Sequence, residues 1–80
     1  MKAYIGIRAE PTEIRPLIKN LERFPEVREA SAVSGEYDIM VVTKGGTSMT
    51  NCGDLLLNRI LRLNGVKETR TFVSLSQKVH

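Results

Sequence analysis

The sequence predicts an α+β domain with element order βαββαβ: a four-stranded antiparallel sheet with two helices on one face. Three observations lead there. Two segments, Ile14 to Leu21 and Cys52 to Leu63, carry apolar residues at helical spacing. Four others, beginning at Ala3, Val27, Asp38 and Val66, alternate or run apolar over strand lengths. The chain has 80 residues, enough for one domain and too few for two.

In the first strand, Ala3 to Arg8, the residues Ala3, Ile5 and Ile7 share one face and Tyr4, Gly6 and Arg8 the other. Pro11 breaks it. Thr12 stands as the N-cap of the first helix, with Glu13 favouring the positive end of its dipole. Pro16 falls near the first turn, where its ring meets little preceding helix. Ile14, Leu17, Ile18 and Leu21 form one apolar stripe, and Arg15, Lys19, Asn20, Glu22 and Arg23 fill the solvent side. Phe24-Pro25 closes the helix, because a residue before proline is pushed out of the helical region.

The second strand reads from Val27 to Ser34, with Val27, Glu29, Ser31 and Val33 on one face. A turn at Gly35-Glu36-Tyr37 leads into a third strand, Asp38 to Thr43, which pairs with the second as a hairpin. After a Gly/Thr-rich connector, Lys44 to Asn51, the second helix covers roughly Asn51 to Leu63. Asn51 and Asp54 stand as a capping pair, and Cys52, Leu56, Ile60 and Leu63 form the stripe. Asn64-Gly65 ends it, glycine taking the left-handed conformation without steric cost. Val66 to Val79 contains the fourth strand, centred on Thr69 to Leu75.

This is the split βαβ, or ferredoxin-like, order. Ile39-Met40-Val41-Val42 is apolar on both faces, whereas a sheet open to water alternates apolar with polar. A second copy packed sheet to sheet is the simplest cover, giving a dimeric α+β barrel. Size points the same way: a domain this small buries only about two thirds of its unfolded surface. One cysteine excludes an internal disulfide, and one cysteine with one histidine cannot build a Cys/His zinc site. Self-association is the support that remains.

The composition, 41% hydrophobic and 26% charged, is that of a folded globular chain. No run of about 18 apolar residues is present, and the opening segment meets a charge at Arg8 too early for a signal peptide. A cytoplasmic location is the expectation, in keeping with a lone reduced cysteine. The net charge of +3 arises from 12 basic and 9 acidic residues that are interspersed, unlike the clustered footprint of a nucleic-acid binder. Neither direct DNA binding nor a membrane partner is expected.

Residues for catalysis are sparse. His80 is the last residue, Cys52 sits on an apolar stripe as a small hydrophobe, and no carboxylates are paired by spacing. Lys44-Gly45-Gly46-Thr47 lacks the order of a phosphate loop. A single-stranded RNA platform needs aromatics on the central strands, where Met40 and Val42 stand instead; Tyr4 and Phe72 are the strand aromatics. No catalytic residue, metal or cofactor is expected. Two polar groupings remain, Ser34 to Asp38 and Thr69-Arg70-Thr71. Turn chemistry accounts for the first, with glycine at positive φ and the aspartate bonding turn amides; a β-branched strand accounts for the second.

Three segments taken together resemble a known family: Phe24-Pro25-Glu26-Val27-Arg28-Glu29-Ala30, then Val33-Ser34-Gly35-Glu36-Tyr37-Asp38, then Leu63-Asn64-Gly65-Val66-Lys67-Glu68-Thr69-Arg70-Thr71-Phe72-Val73. They look like the ligand-binding RAM module of the Lrp/AsnC (leucine-responsive/asparagine-responsive) transcription regulators, over Ala3 to Leu75. The resemblance implies residues 1–80 as a single RAM-like ligand-binding domain. It also implies a non-enzymatic module that dimerises through its sheets and assembles into a higher ring oligomer, with an amino acid effector held between dimers. Carried over by motif, the ligand-binding residues are Gly35, Tyr37 and Asp38 of the turn and Thr69 and Thr71 of the fourth strand. The chemistry fits: hydroxyls and amides donate to the effector's carboxylate, Asp38 faces its ammonium, and glycine lets backbone approach closely. The family's regulators carry an N-terminal helix-turn-helix, and this sequence begins at the first strand. The expectation is therefore a stand-alone module without DNA binding, with full-length Lrp/AsnC-type regulators as possible partners. The connector Lys44 to Asn51 looks longer than the family's, which leaves the amino acid unnamed.

Two alternatives share the topology. A small dimeric α+β barrel enzyme, such as a cofactor-independent oxygenase or isomerase, would need an acid–base residue between sheet and helices, with Tyr4 as its candidate. An amino-acid-binding module of the ACT type is usually appended to an enzyme, and no fused domain is present in this sequence.

Overall fold

The computed structural model describes residues 3–44 and 54–74. Its elements follow the expected order: β1 (Ala3–Ala9), a 3-10 turn (Pro11–Glu13), α1 (Ile14–Glu22), β2 (Val27–Ala32), β3 (Ile39–Thr43), α2 (Asp54–Leu61) and β4 (Val66–Val73). The strands form one antiparallel sheet in the order β2-β3-β1-β4, the ferredoxin-like arrangement. β1 and β3 are central, and β2 and β4 are the edges.

The core lies between the sheet and the helices. Ile5, Ile7 and Ala9 of β1 and Ile39 and Val41 of β3 meet Leu17 and Leu21 of α1 and Leu56 and Ile60 of α2, all buried. These positions alternate along the strands and recur at three- and four-residue spacing on the helices, so the sequence pattern and the packing agree. Ile14, Ile18, Leu57 and Leu63 pack against this cluster from its margin. Thr43 is the buried polar exception. Its Oγ1 accepts the Ala3 N–H and donates to the Ala3 carbonyl, both at 3.1 Å, closing the far end of the β1–β3 ladder.

Several boundaries differ from the sequence reading. Thr12 does not cap α1: Pro11 opens a 3-10 turn, Glu13 N–H bonds to the Glu10 carbonyl at 2.9 Å, and α1 starts at Ile14 with no side-chain cap. Pro16 does fall in the first turn of α1, where a missing N–H leaves no partner wanting. β2 is shorter than expected and changes phase. Val27 pairs with Thr43 but Glu29 pairs with Val42, so Arg28 is the extra residue of a bulge. Val27, Ala30 and Ala32 consequently face the helices, and Glu29 and Ser31 face away. Strict alternation would have put Val27 and Glu29 on the same side.

α2 ends at Leu61, short of the expected Leu63, and Gly65 at φ +94° belongs to the turn that leads from it into β4. A β-carbon there would lie 2.5 Å from the β-carbon of Glu13, so the turn before β4 also needs glycine for space. The Gly65 carbonyl accepts the Glu10 N–H at 2.9 Å, joining this turn to the end of β1. Asn51, Cys52, most of the connector, Leu75 and His80 lie outside the described residues.

Thr43→Val keeps the shape of the side chain and deletes its hydrogen bonds to Ala3. Leaving the buried amide and carbonyl short of partners should cost about 1–3 kcal/mol. Urea denaturation checks this as a lower midpoint at unchanged slope.

Candidate functional site

The site is built on the segment between β2 and β3. Val33 N–H donates to the Asp38 carbonyl at 2.9 Å, closing a six-residue loop, and Gly35 turns it at φ +123°. The aspartate then does something the sequence did not suggest. Its own N–H donates to the Ile7 carbonyl at 2.9 Å, and its Oδ2 accepts the Ala9 N–H at 2.8 Å. The carboxylate thus stands where the next backbone acceptor of β3 would be. It ties the loop to β1; turn amides as its partners were the expectation, and the amide it holds is a strand amide instead.

Tyr37 lies over the sheet face that carries no helix. A β-carbon built on Gly6 would sit 2.8 to 3.0 Å from atoms of the Tyr37 ring, so the glycine is the seat on which the ring rests. The ring also meets Phe72 edge-on, centroids 6.2 Å apart at 78°. Tyr4 stands opposite Phe72 in the β1–β4 register, and Met40 and Val42 are half-buried on the same face. Tyr4, the acid–base candidate of the enzyme alternative, therefore points away from the helices.

Beside Tyr37 opens a cleft of about 460 Å³ lined by Arg8, Gly35, Glu36, Tyr37, Glu68 and Arg70. Its wall is the open side of β1 and β4, where Arg8 pairs with Glu68 and Gly6 with Arg70. Thr69 and Thr71 pair with Ile7 and Ile5, whose side chains are in the core, so both threonines project toward the helix side. Of the expected ligand residues, then, Gly35 and Tyr37 line the cleft and Asp38 braces it from behind. Thr69 and Thr71 lie on the opposite face of an edge strand. A single chain does not bring all of them to one small molecule.

The charged wall, Arg8, Glu36, Glu68 and Arg70, was missed by the sequence reading. The period of two along β4 carried the signal: if Thr69 and Thr71 share a face, Glu68 and Arg70 share the other.

Residues 2–80 match the Lrp/AsnC ligand binding domain. The chain belongs to the Lrp/AsnC ligand-binding domain family. An uncharacterized HTH-type transcriptional regulator of Pyrococcus horikoshii is 31% identical over 77 residues, covering 95% of this chain and 48% of that protein. The chain thus spans about half the length of the curated relatives it matches. The crystal structure of a Thermus thermophilus protein superposes with a TM-score of 0.86 at 24% identity, covering 99% of this chain and 98% of that one. A Neisseria meningitidis transcriptional regulator, solved as its L-Met complex, superposes with a TM-score of 0.80 at 22% identity over 99% of this chain and 52% of that one. Both share the ferredoxin-like fold described above.

Gly6, within a strand, admits no side chain beneath the Tyr37 ring. Gly6→Ala should force the Tyr37 ring off the sheet and destabilise the domain by about 1–3 kcal/mol, the cost of overpacking. Thermal unfolding measures the loss. The double variant Gly6→Ala with Tyr37→Ala, which empties the contested space, should lose less than the sum of the two single changes.

Proposed function

We propose that the chain is a non-enzymatic, amino-acid-binding regulatory module that works as an oligomer. The family match over residues 2–80 carries this reading. A relative of the same fold that was solved with L-Met supports an amino acid as the ligand class. In this reading the turn with Gly35, Tyr37 and Asp38 forms one half of the site. Thr69 and Thr71 of a neighbouring copy form the other, because one chain presents them on opposite sides of its sheet. Amide and hydroxyl donors meet the effector's carboxylate, and Asp38, whose Oδ2 already holds Ala9, turns its remaining negative charge to the ammonium.

Oligomerisation rests on the face without helices. Tyr4, Met40, Val42, Tyr37 and Phe72 place five large apolar or aromatic side chains there, and Phe72 is 43% exposed in the single chain. A second copy, sheet to sheet, covers them and yields the dimeric barrel; dimers then assemble further. The setting is cytoplasmic, and the partners are full-length Lrp/AsnC-type regulators whose own modules accept this one. A ligand acts on such an assembly by binding one arrangement better than another.

A thermal-shift screen of the purified chain against the twenty amino acids tests the first claim. A true effector at a hundred times its dissociation constant adds about 2.7 kcal/mol of stability. Asp38→Asn keeps an acceptor for Ala9 N–H and removes the charge, so affinity should fall by about 2–4 kcal/mol while the melting temperature of the free protein changes little. Thr71→Val should weaken binding by about 1 kcal/mol. Unchanged dissociation constants in both variants would retire the site.

Light scattering tests the assembly. The wild type should be at least dimeric at micromolar concentration, and Val42→Glu should shift it to monomer, since it buries a charge against the facing sheet. A folded wild-type monomer at that concentration is the contrary result.

A further inference from the structure

We propose that Arg70 is the carboxylate anchor of the cleft beside Tyr37, holding an amino acid by its own α-carboxylate. The proposal rests on the amino-acid reading above and adds a residue to it. Four features single out this side chain.

Arg70 stands across the β1–β4 ladder from Gly6, which offers it neither an acid nor a side chain to lie on. The other cleft cation, Arg8, is paired in register with Glu68, a cross-strand match of opposite charges. Among the described residues the ion pairs join Arg59 to Glu26 and Lys67 to Glu10; neither involves Arg70 or Arg8, and what sets the two cations apart is the acid that faces Arg8 across the ladder and the glycine that faces Arg70. The guanidinium thus lines a cleft of about 460 Å³ with its fork of donors uncommitted.

The fourth feature is polarity. Across the cleft from β4 lies the turn, with Glu36 at its rim and Asp38 behind it. The β4 wall presents Arg70 beside Glu68 and the turn presents Glu36, so a cation stands among carboxylates that can meet an ammonium, which is the complement of a zwitterion. The Tyr37 ring, held down on Gly6, forms one side of the space between them. A planar guanidinium engages a carboxylate through two parallel N–H···O bonds, a geometry that lysine cannot reproduce. Thr69 and Thr71, on the far side of β4, leave room for such a charged donor on the near side.

Isothermal titration of wild type, Arg70→Gln and Arg70→Lys with each of the twenty L-amino acids, and then with the C-terminal amide of every one that binds, tests the assignment. Wild type should bind an amino acid at least tenfold more tightly than its amide. Arg70→Gln should bind the free acid at least tenfold more weakly and no longer distinguish acid from amide. Arg70→Lys should recover part of that discrimination, and would carry the comparison if circular dichroism showed Arg70→Gln to be misfolded. A folded Arg70→Gln that keeps both the affinity and the acid-over-amide preference overturns the anchor and leaves the amino-acid reading standing. If wild type binds none of the twenty, the amino-acid reading fails and takes the anchor with it.

Discussion

The Ala9 amide sits at the point where β3 gives way to the turn and its backbone stops supplying acceptors to β1. Ala9 is buried, so an unpaired N–H there would cost on the order of 1–3 kcal/mol. Asp38 Oδ2 takes up that bond at 2.8 Å, while Asp38 N–H still completes the ladder to Ile7. One residue therefore ends a strand pair and fixes where the chain leaves it. With Asp38 held, Tyr37 has little choice of position: it lies across β1 at the one residue, Gly6, that can accept a ring. The turn's tip with Gly35 and Glu36 then overhangs β4, and the cleft is the gap that results.

The central strands are apolar on both faces, and the described helices cover one of them. α1 and α2 seal the side of Ile5, Ile7, Ile39 and Val41. On the other side, Tyr37 conceals Gly6, while Met40, Val42 and Tyr4 remain only half-buried and Phe72 is exposed over less than half its surface. At about 25 cal/mol per Å² of apolar surface, leaving such a face in water forgoes several kcal/mol that a domain of this size can hardly spare. A charged rim of Arg8, Glu29, Glu68 and Arg70 surrounds the apolar middle. That pattern is what the sheet-to-sheet contact proposed above would require.

The element order was legible because it depends on local patterns: period two in four segments, the i, i+3, i+4 stripe Ile14-Leu17-Ile18-Leu21, and glycine at 65 after the second helix. The phase of β2 was not, since nothing in Val27-Arg28-Glu29-Ala30 marks Arg28 as surplus. That is decided by which of Val27 and Ala30 the core can use, and it uses both. The start of α1 was misplaced because Thr12 is a good capping residue in isolation, while Pro11, with its fixed φ, opens a helical turn one residue sooner. At the site, the motif residues of the turn were identified but their neighbours were not. Pairing Gly6 with Tyr37, or Asp38 with Ala9, requires the β1–β3 register, a long-range property. Gly6 did carry a hint, for a glycine within a strand often marks a close approach.

Tyr37 belongs to two surfaces at once, and this bears on how such a module could respond to a ligand. Its ring covers Gly6 on the face proposed to meet a second copy, and it also walls the cleft. A molecule seated against Arg70 and the turn would press on the ring that helps shape the sheet-to-sheet contact. Asp38 limits how the loop can yield, because moving the turn away from β1 breaks the Ala9 and Ile7 bonds together. Small displacements of Tyr37 over a fixed turn are then the cheaper response, and their effect falls on packing between copies. A ligand that favours one ring position favours the assembly compatible with it, to the extent of its difference in affinity for the two. In the proposed module, occupancy of the cleft and state of assembly would thus be linked through a single aromatic side chain resting on a glycine.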